Sequence, residues 1–357
     1  MAQEVRIPRF YVDWTSYLLN QGIIQSYDPV RITHDGKGLY THIGMLNPAH
    51  QRHWSAAADG IGAGAECGIK FKTPNGSLLD MEKANWSGVL GHNLGAFQAY
   101  NFELGTAFQL SGGAGYPKLN LTNPIVNCEV SGNLMKPEHS GFSLCEANGT
   151  TATSTASTIL GIYCLWRHVT NVNYILKFSS YCFGEYYDMP HASDLSTMSI
   201  EMDGVKNITT KGGSTLSNAA YTKAPNWGDL GAWQVGNHPN IRVGRRAWQL
   251  SFSYLDADDI MAKVASNSNL GAINGDYEDV DNINDNTLLD GSDFFSVVWN
   301  RTMGGHLPFI FNPNGGGTSP NNNPDQFAIC RFDQSSLKIN QTAPTLYQIS
   351  VKIRECW

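Results

Sequence analysis

Alternation of apolar and polar residues is clearest in the last third of the chain. The segment 248–255 alternates over the length of a full strand, and in 347–354 four apolar residues alternate with four polar ones. Successive side chains of a strand point to opposite faces of a sheet, so each segment predicts a strand with one face in a core. The apolar segments 306–311 and 327–332 predict two further strands of the same sheet.

Two helical signals lie between these strands. Asp256 precedes the apolar residues of 257–264, which is typical of a capped helix start. The segment 292–305 begins with Ser292 and Asp293, carries apolar residues at three- and four-residue steps, and ends on two glycines. We expect this second helix to lie on the sheet, because its apolar side needs a surface that covers it.

The block between residues 67 and 190 has the pattern of short strands separated by turns. The predicted strands are 68–72, 86–90, 99–104, 125–130, 160–167 and 173–184. Strands at this spacing are typical of a β-sandwich or a jelly roll. The sequence therefore predicts a mainly β protein in three parts. These are an N-terminal arm (1–66) that packs on neighbours, a β-sandwich (67–190), and a second sandwich with one or two short helices (191–357).

Composition agrees with many short strands and argues against several partners. Charged residues make up 15% of the 357 residues and glycine occurs 36 times, which favours turns over long helices. The net charge of −7 gives no general attraction to nucleic acid or to an anionic membrane surface. No run of 18 apolar residues predicts a membrane span, and the N-terminus lacks the apolar segment of a secretion signal. We expect synthesis in the cytoplasm, no nucleic-acid partner and no membrane insertion.

Three aromatic residues of the 67–190 block are candidates for sugar binding. Trp86, Tyr163 and Trp166 have rings that could stack on a sugar, although large aromatic residues in strands more often lie in a core. The seven cysteines lack CxxC spacing, which favours buried free thiols over a zinc site or a disulfide framework.

Two acidic segments invite a metal-site interpretation, and for both another interpretation is favoured. Asp188, His191 and Asp194 are spaced by three residues, but Pro190 predicts a turn whose side chains cap backbone groups. Seven acidic residues in 275–293 could surround calcium, yet the glycine of an EF-hand loop is missing, which favours a solvated loop. We predict no metal and no cofactor.

Motifs of the common hydrolases are missing from the chain. Neither GxSxG nor HExxH occurs, and the acidic residues cluster in one stretch. This removes the commonest catalytic mechanisms and leaves a glycan-cleaving enzyme as the weakest alternative. We expect no enzymatic activity and no catalytic residues.

Two stretches resemble known families. The strand 86–90 with the following Gly91-His92-Asn93-Leu94 resembles the first core strands of discoidin-like, galactose-binding-type β-sandwiches, over about 67–190. The segment 245–355 resembles the distal-tail and minor-tail proteins of tailed phages. It carries RRAWQLSFSYL, a helix, a GHLPFIF strand and a terminal strand in that order.

The second resemblance implies a structural protein of a phage tail tip or baseplate. Proteins of that family form a ring that continues the tail tube, so the implied partners are other copies of the chain and the tube, hub and fibre proteins. The implied location is the virion tail. The discoidin-like resemblance leaves an alternative, a carbohydrate-binding adhesin that recognises a host surface glycan through 67–190.

Overall fold

The computed structural model describes most of the two ends of the chain and separate pieces of the middle. The described residues are 5–27, 32–34, 54–57, 66–73, 83–92, 102–110, 118–138, 141–150, 159–168, 175–178, 180–223, 242–260 and 292–356.

Strands dominate these residues. The strands of the N-terminal half are β1 (Arg9–Asp13), β2 (Gln25–Tyr27), β3 (Ile32–His34), β4 (Trp54–Ala57), β5 (Glu66–Lys72), β6 (Trp86–His92), β7 (Phe102–Leu110), β8 (Leu119–Val126), β9 (Cys128–Ser131), β10 (Leu134–Pro137), β11 (Gly141–Thr150), β12 (Ile159–His168), β13 (Ile175–Phe178) and β14 (Ser180–Asp188). Those that follow are β15 (Ser199–Met202), β16 (Val205–Thr209), β17 (Thr215–Ala219), β18 (Thr222–Lys223), β19 (Arg242–Val243), β20 (Arg246–Asp256), β21 (Phe309–Asn312), β22 (Ala328–Phe332), β23 (Ile339–Ala343) and β24 (Leu346–Glu355). The helical pieces are α1 (Trp14–Asn20), α2 (Ala257–Ile260), a π-helical segment (Phe295–Asn300) and a 3-10 turn (Pro324–Gln326).

Antiparallel pairing joins most of these strands into two large sheets. The larger sheet has the order β15-β20-β24-β22-β21-β1-β14-β6-β11-β8, and β23 also pairs with β24. The smaller sheet has the order β2-β5-β12-β7-β10-β9. The expected fold class is confirmed, because the chain is mainly β with large antiparallel sheets.

The two sheets pack face to face where β14 crosses β7. The rings of Phe108 and Phe183 meet at 6.2 Å between centroids. Nearby, the hydroxyl oxygens of Ser87 on β6 and Thr106 on β7 lie 3.4 Å apart in the buried layer. This part of the molecule is a β-sandwich built from both sheets.

The N-terminal strand β1 lies in the middle of the larger sheet. It pairs with β14 on one side, from Arg9 opposite Asp188 to Asp13 opposite Gly184, and with β21 on the other. This position corrects the expectation that 1–66 forms an arm that packs on neighbours, because 9–13 is an interior strand of its own chain. The same sheet continues across the expected boundary at residue 190.

The core is densest around β1. Phe10 is fully buried, and its ring lies 5.5 Å from that of Phe294 and 5.2 Å from that of Phe311. Tyr11, the next residue of the strand, packs edge-on against Trp86 at 5.4 Å. Because neighbouring side chains of a strand point to opposite faces, β1 contributes to the packing on both faces of the sheet.

The helix predicted at 292–305 covers the sheet as expected. The Asp293 carboxylate caps it by accepting hydrogen bonds from the backbone N–H and the hydroxyl of Ser296, at 2.9 and 2.8 Å. Residues 295–300 are wound as a π-helix, and the chain leaves through Gly304 and Gly305, which both have positive φ. A Cβ on Gly305 would lie 2.8 Å from the Cβ of Phe332, so the close approach of helix end and sheet requires glycine there.

The segment Asn312-Pro313-Asn314-Gly315-Gly316 is buried. The N–H of Gly316 donates to the carbonyl of Ile7 at 2.9 Å, and that of Arg6 donates to the carbonyl of Pro313 at 3.1 Å. The loop therefore packs against the residues that lead into β1.

Candidate functional site

Trp86 lies in the core. Its exposed fraction is 0%, and Tyr11 covers one edge of the ring. A sugar cannot stack on this indole without opening the sandwich. The proposal that Trp86 binds sugar is therefore wrong, and Trp86 is a core residue. Tyr163 and Trp166 lie on β12, paired with Lys70 and Cys67 of β5, and their side chains are outside the described residues.

Asp188, His191 and Asp194 each have a separate partner. The Asp188 carboxylate accepts from the guanidinium of Arg9 at 2.5 and 2.8 Å, and Asp194 accepts from the hydroxyl of Ser253 at 2.7 Å. The Nδ1 of His191 lies 2.8 Å from the carbonyl oxygen of the residue that follows it. The three side chains therefore hold a turn in place and do not converge on one point.

Metal-binding groups are not assembled in the part of the chain that the structure describes. No group of three or more His, Cys, Asp and Glu side chains there is placed to hold an ion. The acidic stretch 275–293 lies outside the described residues except for its end, where Asp293 caps the π-helical segment. The preference for a solvated loop over a calcium site in that stretch stays a prediction.

Arg9 is the centre of a buried polar cluster. Its guanidinium bonds Asp188 of β14 and the carboxylate of Glu146 of β11, and it lies 4.0 Å from the centroid of the Tyr186 ring. The hydrogen bonds and charge of Asp188 raise the pKa of Arg9 against the opposing effect of burial, and burial raises the pKa of Tyr11 beside it. The side chains of the cluster satisfy one another, so we assign it to holding three strands together.

The two end strands of the larger sheet, β15 and β8, present surfaces for contact. Among the described strands, β15 pairs with β20 only, and its residue Met202 is exposed. In β8 three successive residues, Thr122, Asn123 and Pro124, are exposed. An end strand carries backbone N–H and C=O groups that can pair with another chain, and proline is tolerated at such an edge.

A hairpin of β16 and β17 projects beside β15. The two strands pair with each other from Val205 opposite Ala219 to Thr209 opposite Thr215, and every residue of both is exposed. Ile208 and Leu216 are opposite each other, with exposed fractions of 52% and 60%. The hairpin therefore exposes apolar side chains to solvent in the described part of the chain.

A second exposed apolar pair lies where β20 ends. The backbone of Tyr254 has φ +63°, which residues other than glycine seldom adopt. Tyr254 lies where the register between β20 and β24 shifts. The exposed fraction of Tyr254 is 76% and that of Leu195 is 79%. Asp194, which precedes Leu195, donates its N–H to the carbonyl of Ser251 and accepts from the hydroxyl of Ser253, so the backbone before Leu195 lies against the strand that leads to Tyr254.

Sequence reasoning did not single out either exposed group. The alternation in 248–255 places Tyr254 as an ordinary strand residue, and the bulge that turns it outward depends on the pairing with β24. For the hairpin a signal exists, since Thr210-Lys211-Gly212-Gly213-Ser214 has the composition of a tight turn between two short β-prone runs.

No family model, no curated protein and no solved structure matches this chain. Among the described residues, every helix falls short of the length and apolar content that crossing a membrane requires. The functional assignment therefore depends on the fold and surface of the chain itself.

Proposed function

We propose that this chain is a structural protein of a phage tail tip or baseplate, where copies of it form a ring at the tail end. The observation that carries the proposal is the larger sheet with an end strand on each side, β15 and β8. Contact between copies at an end strand covers its unpaired backbone groups. The sequence resemblance of 245–355 to distal-tail and minor-tail proteins supports the same role.

The exposed apolar residues add to this support. Large apolar side chains are exposed to solvent at two places. On the hairpin they are Val205, Ile208 and Leu216, and at the end of β20 they are Leu195 and Tyr254. Exposed apolar groups of this kind are typical of surfaces that bind other protein chains. The tube, hub and fibre proteins of the tail are the further partners of the proposal.

The experiment is to measure the mass of the purified full-length chain and to image it. Native mass spectrometry together with negative-stain electron microscopy is expected to find closed rings of a single stoichiometry. A chain that stays monomeric at all concentrations, and does not bind purified tail components, would overturn the proposal.

A glycan array probed with the full chain separates this function from the adhesin alternative. A structural ring protein is expected to bind none of the glycans above background. Specific binding to one glycan class, lost on substitution of Tyr163 or Trp166 by Ala, would instead support host recognition by 67–190.

A further inference from the structure

The β16–β17 hairpin needs a covering surface that its own strands do not provide. A two-stranded hairpin alone is marginally stable in water, because it buries too little apolar surface to offset the entropy of ordering its chain. Here both strands are exposed throughout, and the cross-strand pair Ile208 and Leu216 has solvent over it. A partner that covers this pair would stabilise the hairpin.

The charge of the hairpin indicates what that partner is. Residues 205–219 contain Lys206 and Lys211 and no acidic residue, so the hairpin carries +2. The whole chain carries −7, and without these two lysines the remainder carries −9. A basic hairpin on an acidic chain is complementary to another copy of the same chain.

The acidic apolar surface at the end of β20 has the complementary character. We name this surface the elbow patch and define it as Leu195, Tyr254, Asp256 and Asp258, all of them exposed. The hydroxyl of Ser253 donates to Asp194 at 2.7 Å and fixes Leu195 beside Tyr254. The patch thus presents two apolar side chains and two carboxylates. The hairpin presents two apolar side chains and two lysines, so the two surfaces carry opposite charges.

The two surfaces lie at opposite ends of one strand. The hairpin begins just after Met202, which is opposite Arg246 at the start of β20. Tyr254 lies eight residues after Arg246 on the same strand. At a rise of about 3.3 Å per residue, roughly 26 Å separates them along the strand. A contact of the hairpin with the elbow patch is therefore made between copies, and it is head-to-tail.

We propose that the hairpin 205–219 of one copy docks on the elbow patch of the next copy, so that this contact joins neighbouring subunits. The inference rests on the proposed assembly into a ring and names the surfaces that make it. A head-to-tail contact uses two different surfaces of each subunit and generates a ring when its rotation closes. Each copy then supplies one hairpin and one elbow patch.

A charge-reversal experiment on the full-length chain tests this contact. K206E/K211E and D256K/D258K each place like charges across the contact, and each is expected to raise the dissociation constant between subunits about tenfold or more. The chain carrying all four substitutions restores opposite charges and is expected to regain assembly. Sedimentation velocity over a concentration series measures the change.

The matched control is K206R/K211R, which keeps both charges and is expected to assemble like the unmodified chain. At a concentration where every variant is monomeric, thermal unfolding should be the same for all of them, because exposed side chains contribute little to folding stability. Assembly of K206E/K211E that equals that of the unmodified chain would overturn this inference and leave the ring intact as a proposal. An unmodified chain that never assembles would instead overturn the proposed function.

Discussion

Arg246 and Glu355 place opposite charges inside the larger sheet. The Glu355 carboxylate accepts from the backbone N–H of Arg246 at 2.6 Å and from its Nε at 2.7 Å, and the guanidinium also donates to the carbonyls of Asp325 and Phe327. The strand pattern explains why the glutamate is inside, since 355 continues the inward series 349, 351 and 353. A buried charge is tolerated only where such partners replace water.

Replacing Glu355 with Ala is expected to lower the free energy of unfolding by about 3–5 kcal/mol, because Arg246 stays buried without its counter-charge. Urea denaturation measures this loss. The control is Asp333→Ala, whose partner Arg354 is half-exposed, and there the expected change is below about 1 kcal/mol. Equal losses in the two variants would contradict a special role of the buried pair.

His92 ends the buried strand β6 and lies 3.0 Å from the hydroxyl of Ser143. Burial lowers its pKa from 6.5 to about 3. Between these two pH values the unfolded chain binds more protons at His92 than the folded protein does. The stability contribution of the neutral imidazole is thus complete above pH 6.5 and is lost as the pH falls towards 3.

As the pH is lowered from about 6.5 to about 4, the free energy of unfolding is expected to fall less for the variant His92→Gln than for the unmodified chain. The reason is that glutamine does not titrate and can still bond Ser143. Thermal unfolding in a series of buffers gives the dependence for each protein. Parallel pH profiles would show that His92 does not contribute to acid unfolding.

At the scale of elements, local sequence signals located several strands and the second helix. The predicted strand 248–255 lies within β20, 347–354 within β24, and 86–90 within β6. Within the predicted helix 292–305 a π-helical segment forms at 295–300, and Asp293 caps it. These signals succeed because side-chain alternation and end-capping depend on residues a few positions apart.

Gly305 is where helix and sheet meet most closely, and Gly305→Ala is expected to lower the free energy of unfolding by about 1–3 kcal/mol. The causes are φ +90° and the 2.8 Å approach of an added Cβ to Phe332. Gly212→Ala is the control, since an added Cβ there meets nothing within 4 Å. Guanidinium denaturation of both variants is the measurement, and a Gly305→Ala variant as stable as its control would refute the steric argument.

At the scale of the whole molecule, β1 joins the strands that follow residue 190 to those that precede it. Removing residues 1–13 is therefore expected to abolish cooperative unfolding, because β14 and β21 lose their common neighbour and Phe10 leaves the aromatic core. Near-UV circular dichroism and thermal melting of the truncated chain measure the loss. An arm that packs on neighbours could be removed without this effect, so an unchanged melting temperature would contradict the interior position of β1.

The sequence by itself determined the mainly β class, the main strands of the C-terminal region, the capped helix and the inward face of β24. It did so because each depends on a period of two or on a cap within one turn.

Only the tertiary structure decided that β1 is central, that the larger sheet crosses residue 190, and that Trp86 is core. Arg9 finds Asp188 179 residues away, and Arg246 finds Glu355 109 residues away. Every residue except proline offers the same backbone donor and acceptor, so the choice of neighbouring strand is not encoded locally. Packing of distant side chains makes that choice, and it also leaves the hairpin and the elbow patch uncovered.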